Sequence, residues 1–176
     1  CISIKQPVSI NLDAAENSKS LPGGRTMFRD RAKRKFYSAL KICDWDSARQ
    51  ILDKNSKHFK NDHLPLFMAC RFRFMPSDVV GNLLALNPSA AKTRESESRR
   101  YPLHIAAWSG CCMEIVKLLV EAFPPALFAS DAACGQTPLH RACSSGRCMP
   151  SVVEFLCKAG LNALGMEDMN GNCPME

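Results

Sequence analysis

Aromatic residues are scarce in this chain, only 7% of its 176 residues, with two Trp and two Tyr. Nowhere does an apolar run reach the roughly 18 residues that a membrane-crossing helix requires. The Gly23-Gly24 pair after Pro22 reads as a linker turn. It is followed by Arg-Thr, so the Gly-Lys-Ser/Thr of a phosphate-cradling loop is missing. Paired Cys-x-x-Cys knuckles are missing too. Cys143 and Cys148 come nearest, and they would have to bridge a helix end and a loop, so no metal or other cofactor is expected. The N-terminus has no basic-then-apolar signal stretch. Opening on Cys1 and stopping just inside a helix start, the sequence reads as a fragment or an incomplete coding sequence.

What is present begins with ten cysteines and 46% apolar residues, enough for a substantial core in one elongated domain. Cys43, Cys70, Cys143 and Cys157 fall on or next to apolar helix positions, where a free thiol behaves as a small hydrophobe. Cys111, Cys112, Cys134, Cys148 and Cys173 fall at expected tips as exposed thiols. Apart from Arg147, no basic neighbour is there to lower their pKa. The implied compartment is reducing, cytoplasmic or nuclear. Charge is lopsided. Residues 1–60 hold 13 Lys+Arg against 6 Asp+Glu, and residues 61–176 hold 10 against 11. The excess centres on RTMFRDRAKRK, residues 25–35, whose composition suits nuclear import or polyanion binding as well as a solvated helix entrance.

A repeat organises the rest. TPLHRACSSG (137–146) matches YPLHIAAWSG (101–110), with weaker copies at LPLFMAC (64–70) and CPME (173–176). The prolines stand at 65, 102, 138 and 174, a period of 36–37 that signals stacked repeats. Pro at the first helical position starts a short helix, and Gly110 and Gly146 end one. The segments PSDVVGNLLALNP, MEIVKLLVEAFP and PSVVEFLCKAG follow with amphipathic helical spacing and stop at Pro88, Pro124 and Gly160. Residues 35–55 read as an atypical first unit around an Asp-Trp-Asp turn, with Asp44 or Asp46 capping its second helix. Leu103, Val116, Leu119, Leu139, Val153 and Leu156 are expected in the core between units.

These features resemble the ankyrin repeat: T-P-L-H-x-A, two helices, and DMNGNCP (168–174) in place of the family's D-x-x-G-x-T-P hairpin. The resemblance covers roughly residues 33–176 and implies an all-α solenoid of stacked helix-turn-helix units with hairpin loops. The expected divisions are a polar, basic leader over 1–28 and an array over 29–176. Its units run approximately 33–60, 61–97, 98–133 and 134–169, with another starting at 170–176. Two departures stand out. The units exceed the usual length by a few residues before the second helix, and the hairpin RESESRR (94–100) has no Gly.

In this family the His of the motif fixes helix to hairpin, and neither His104 nor His140 belongs to a recognisable catalytic triad motif. The resemblance therefore implies a non-enzymatic module that binds another protein through its concave face and hairpin tips, with a monomer expected. Its contact positions map to Arg71, Phe72, Glu97, Arg100, Trp108, Ser109, Cys134, Gln136, Ser144, Ser145, Met169 and Asn172, and to Ser98, Ala133 and Asn170 between them. Phe72 and Trp108 are expected to form one aromatic patch flanked by Arg71 and Arg100. Two other readings stay open. One is the targeting arm of a larger enzyme or channel. The other is association with nucleic acid or an anionic membrane surface through residues 25–35.

Overall fold

The structure, a computed structural model, describes residues 30–175. The leader and residues 25–29 of the basic run lie outside the described residues. Asp30 caps the first helix, α1 (Arg31–Lys41), its carboxylate accepting from Ala32 N at 2.9 Å. Asp44 does the same for α2 (Trp45–Lys54), accepting from Ser47 N at 3.0 Å. Such caps satisfy backbone N–H groups that the first helical turn leaves unpaired. A one-turn helix, α3 (Ser56–Phe59), follows and buries Phe59 edge-on against Phe36.

Three further units repeat one plan. Their short first helices are α4 (Leu64–Cys70), α6 (Pro102–Ser109) and α8 (Pro138–Ser144), each with Pro in its first two positions. Their longer second helices are α5 (Ser77–Leu86), α7 (Met113–Ala122) and α9 (Pro150–Ala159). First helices pack on first helices, α1 on α4, α4 on α6 and α6 on α8. Second helices form a parallel row, α2, α5, α7 and α9. No strand occurs among the described residues. The all-α helical-repeat expectation stands.

The core lies between the two rows. Leu66, Leu103 and Leu139 of the first helices are each 1% exposed, beside Ala69, Ala106, Ala107 and Ala142. The small residues let neighbouring helices approach closely, while each buried Leu contributes about 1.5–3 kcal/mol. Val116, Leu119 and Leu156 are buried as expected, but Val153 is half-buried and Val152 takes the inward place. α9 is the last of its row among the described residues, so it has a helical neighbour on one side only.

Pro88 and Pro124, read above as helix stops, each open a 3-10 turn, over Pro88–Lys92 and Pro124–Phe128. A third such turn spans Leu161–Gly165, and together these turns bury Ala90, Ala91, Ala126, Leu127 and Ala163. Gly110 is dictated twice over. Its φ is +71°, and a methyl group there would stand 2.5 Å from the Arg147 carbonyl oxygen of the next unit.

Candidate protein-interaction face

The hairpins between units are built on one pattern. Glu95 N donates to Arg100 O at 2.9 Å, Asp131 N to Gln136 O at 2.9 Å, and Asp168 N to Asn172 O at 3.0 Å. Each closes with a left-handed residue: Arg99 at φ 52°, Gly135 at 71° and Gly171 at 80°. The Gly-less hairpin thus keeps the geometry, with Arg99 in a conformation that costs a side-chain-bearing residue about 1–2 kcal/mol. Successive hairpins are joined through their backbones, Ala132 N to Ser98 O and Met169 N to Cys134 O, both 2.9 Å.

The motif histidines tie α6 and α8 to the hairpins that follow them. His104 Nδ1 accepts from Tyr101 N at 3.2 Å, so Nε2 carries the proton, which it donates to Ala129 O at 2.9 Å. His140 Nδ1 accepts from Thr137, and its Nε2 donates to Asn172 O at 3.1 Å. Tyr101 replaces the motif Thr and stacks its ring on His104 instead. Burial pushes the His104 pKa down from 6.5 to about 4, outweighing the raising effects of the Ala129 carbonyl and Asp131. Both histidines are used up in holding the fold.

Asp131 is the electrostatic centre of the face. Its side chain is 0% exposed and accepts Arg100 Nε at 3.0 Å and the Arg141 guanidinium. Its other oxygen takes Cys134 N at 2.9 Å and Gln136 N at 3.2 Å. Burial alone would raise its pKa, yet Arg141, the Cys134 N–H and Arg100 together hold it well below the carboxylate range. One unit earlier, Glu95 occupies the equivalent place, bonded to Ser98 Oγ and, at 3.0 Å, to Arg71 Nη2. Sequence reading missed Glu95, Asp131 and Arg141. The signal was available as an acidic residue seven positions before Pro102 and Pro138.

The expected Phe72–Trp108 patch does not form. Phe72 meets Trp45 edge-on at 6.2 Å, whereas the Arg141 guanidinium lies 5.5 Å from the centre of the Trp108 ring. Trp108 leans toward the following unit and is 41% exposed. Arg71 and Arg100 are engaged by Glu95 and Asp131. Of the other positions, Glu97, Ala133, Ser144, Met169, Asn170 and Asn172 are exposed; Ser98, Cys134, Gln136 and Ser145 are half-buried; Ser109 is buried beneath the surface. Ser145 Oγ is occupied, donating to Ala142 O and accepting from the N–H groups of Arg147 and Cys148.

The cysteines also need one correction. Cys111, expected at an exposed tip, is fully buried, its thiol donating to Cys70 O at 3.3 Å. Burial pushes its pKa up to about 12, which removes it from thiolate chemistry at neutral pH. Cys43, Cys70, Cys111, Cys112, Cys134, Cys143, Cys148 and Cys157 are free thiols. No group of three or more His, Cys, Asp or Glu among the described residues is placed to hold a metal ion, and no described helix is long and apolar enough to cross a membrane.

No curated protein matches the chain. A family model described as ankyrin repeats, three copies, matches residues 66–165. Repeats of this kind are generally protein–protein interaction modules and are typically non-enzymatic. With the matched span covering more than half of the chain, and with the Pro-Leu-His helix starts and hairpin-linking histidines described above inside it, the chain belongs to the ankyrin-repeat family.

Proposed function

We propose that this array binds a partner protein through the face made by its first helices and hairpins, and that it does no chemistry of its own. The observation that carries the reading is Trp108, an indole left 41% exposed on α6, a first helix flanked on both sides by others of its row. Trp and Arg are over-represented among residues that dominate interface affinity. α6 and α8 are each locked by a histidine and open on a proline, so that part of the surface is held rigid before binding and little order has to be created on association. We place the protein in the cytosol or nucleus, consistent with free thiols at the helix cysteines Cys70, Cys143 and Cys157. A photo-crosslinker in place of exposed Ser144 should capture a partner, and one in place of exposed Glu154, on the second-helix row, should not. Equal capture from both would contradict the assignment of the face.

A second reading has its own observation. Arg31, Arg34, Lys35 and Lys41 are exposed on α1 and enter no ion pair among the described residues. Adherence to RNA or anionic vesicles that weakens steeply with salt would favour it.

A further inference from the structure

We infer that the partner segment taken by this face is an acidic peptide carrying one large apolar residue. The inference rests on the protein-binding reading and adds the chemistry of the ligand.

Residues 71–76, 93–112 and 129–149 supply the turns, hairpins and first helices of the middle units. They hold seven arginines, no lysine and three carboxylates. Two of those carboxylates, Glu95 and Asp131, are shared among three guanidiniums, those of Arg71, Arg100 and Arg141. The fixed network therefore keeps a net positive charge along a continuous strip, because the two hairpins that carry it are joined from Ala132 N to Ser98 O. Arg71 and Arg100 remain partly open to solvent, with side chains 38% and 29% exposed. Their internal carboxylates hold them in place, so a second carboxylate arriving from outside meets guanidiniums whose side-chain freedom is already lost. Planar guanidiniums favour carboxylate pairs geometrically, and an all-arginine strip is suited to them in a way that lysines would not be.

Trp108 adds the apolar half of the recognition. Its ring is anchored by Arg141, at 5.5 Å, and is 41% exposed. An indole fixed this way offers a large area with few rotors to freeze. Next to a cationic strip, it fits a segment in which acidic residues flank one aliphatic or aromatic side chain. A wholly basic segment would be repelled by the excess positive charge, and a wholly apolar one would desolvate the guanidiniums.

The test is selection from a randomised peptide library on the full chain, followed by affinity measurement of the enriched peptides. Enrichment of Asp- and Glu-rich sequences bearing one large apolar residue is expected. Their binding should fall about tenfold or more in Trp108→Ala and in Arg71→Gln, persist in Trp108→Phe, and weaken as salt rises. Unchanged melting curves for the variants would tie the loss to the face. Enriched sequences that are neutral or basic, yet still lost in Trp108→Ala, would overturn the acidic chemistry and leave the face intact. Peptides indifferent to Trp108 and Arg71, or no enrichment at all, would overturn both. Capture of a labelled oligouridine RNA through Arg71, without any acidic peptide, would also overturn it.

Discussion

At the scale of single residues, two glycines that look alike in sequence do different work. Gly110 and Gly146 both adopt left-handed φ, 71° and 58°, but only Gly110 faces another unit's backbone; a methyl group at Gly146 meets nothing within 4 Å. Gly146→Ala should therefore cost only the backbone strain, about 1–2 kcal/mol. Gly110→Ala adds displacement of the Arg147 peptide and should cost clearly more, above about 2 kcal/mol. Urea unfolding of the two variants checks the order, and equal losses would remove the close approach from the account. His104 gives a pH prediction. Its folded pKa, about 4, lies below 6.5, so the unfolded chain takes up the proton first as pH falls. The contribution is whole above 6.5 and is lost progressively toward 4. Between pH 7 and 5 the loss should be about 2 kcal/mol, and it should shrink in His104→Asn. An equal pH dependence in both proteins would mean that His104 is protonated in the fold.

Among the helices, the period of the prolines and the Pro-Leu-His starts made the stacking order legible, because helix starts are written in local chemistry. The 3-10 turns were not legible. A proline that ends one helix is equally able to begin a tighter turn, and only packing of Ala90 and Ala126 against the core selects the second outcome. The direction of Trp108 was also hidden, since the spacing of 36 between Phe72 and Trp108 fixes which positions are equivalent and leaves the rotamers open. The cross-unit network on Asp131 depends in the same way on which hairpin an arginine reaches. Leu139 tests the stacking itself. It is 1% exposed, and α8, which carries it, packs on α6, so Leu139→Ala should cost about 2–5 kcal/mol by leaving a cavity. A loss below about 0.5 kcal/mol, the range of surface changes, would contradict the inward assignment.

At the scale of the whole array, the described residues are held by apolar packing and by backbone links between hairpins; the helix cysteines Cys70, Cys143 and Cys157 are free thiols, and no described cluster suits a metal. Its helical circular dichroism and melting temperature should be unchanged by reductant and by chelator. A large loss with either would mean that a cross-link or an ion supports the stack. Whether the rigid face built around Trp108 engages a partner protein is decided by one comparison. With a captured partner in hand, its dissociation constant is measured for the native chain and for Trp108→Ala, together with both melting temperatures. Trp108→Ala should bind more weakly by about 2 kcal/mol or more, with the melting temperature little changed. Unaltered affinity with a lowered melting temperature would make Trp108 a packing residue and remove it from the binding face.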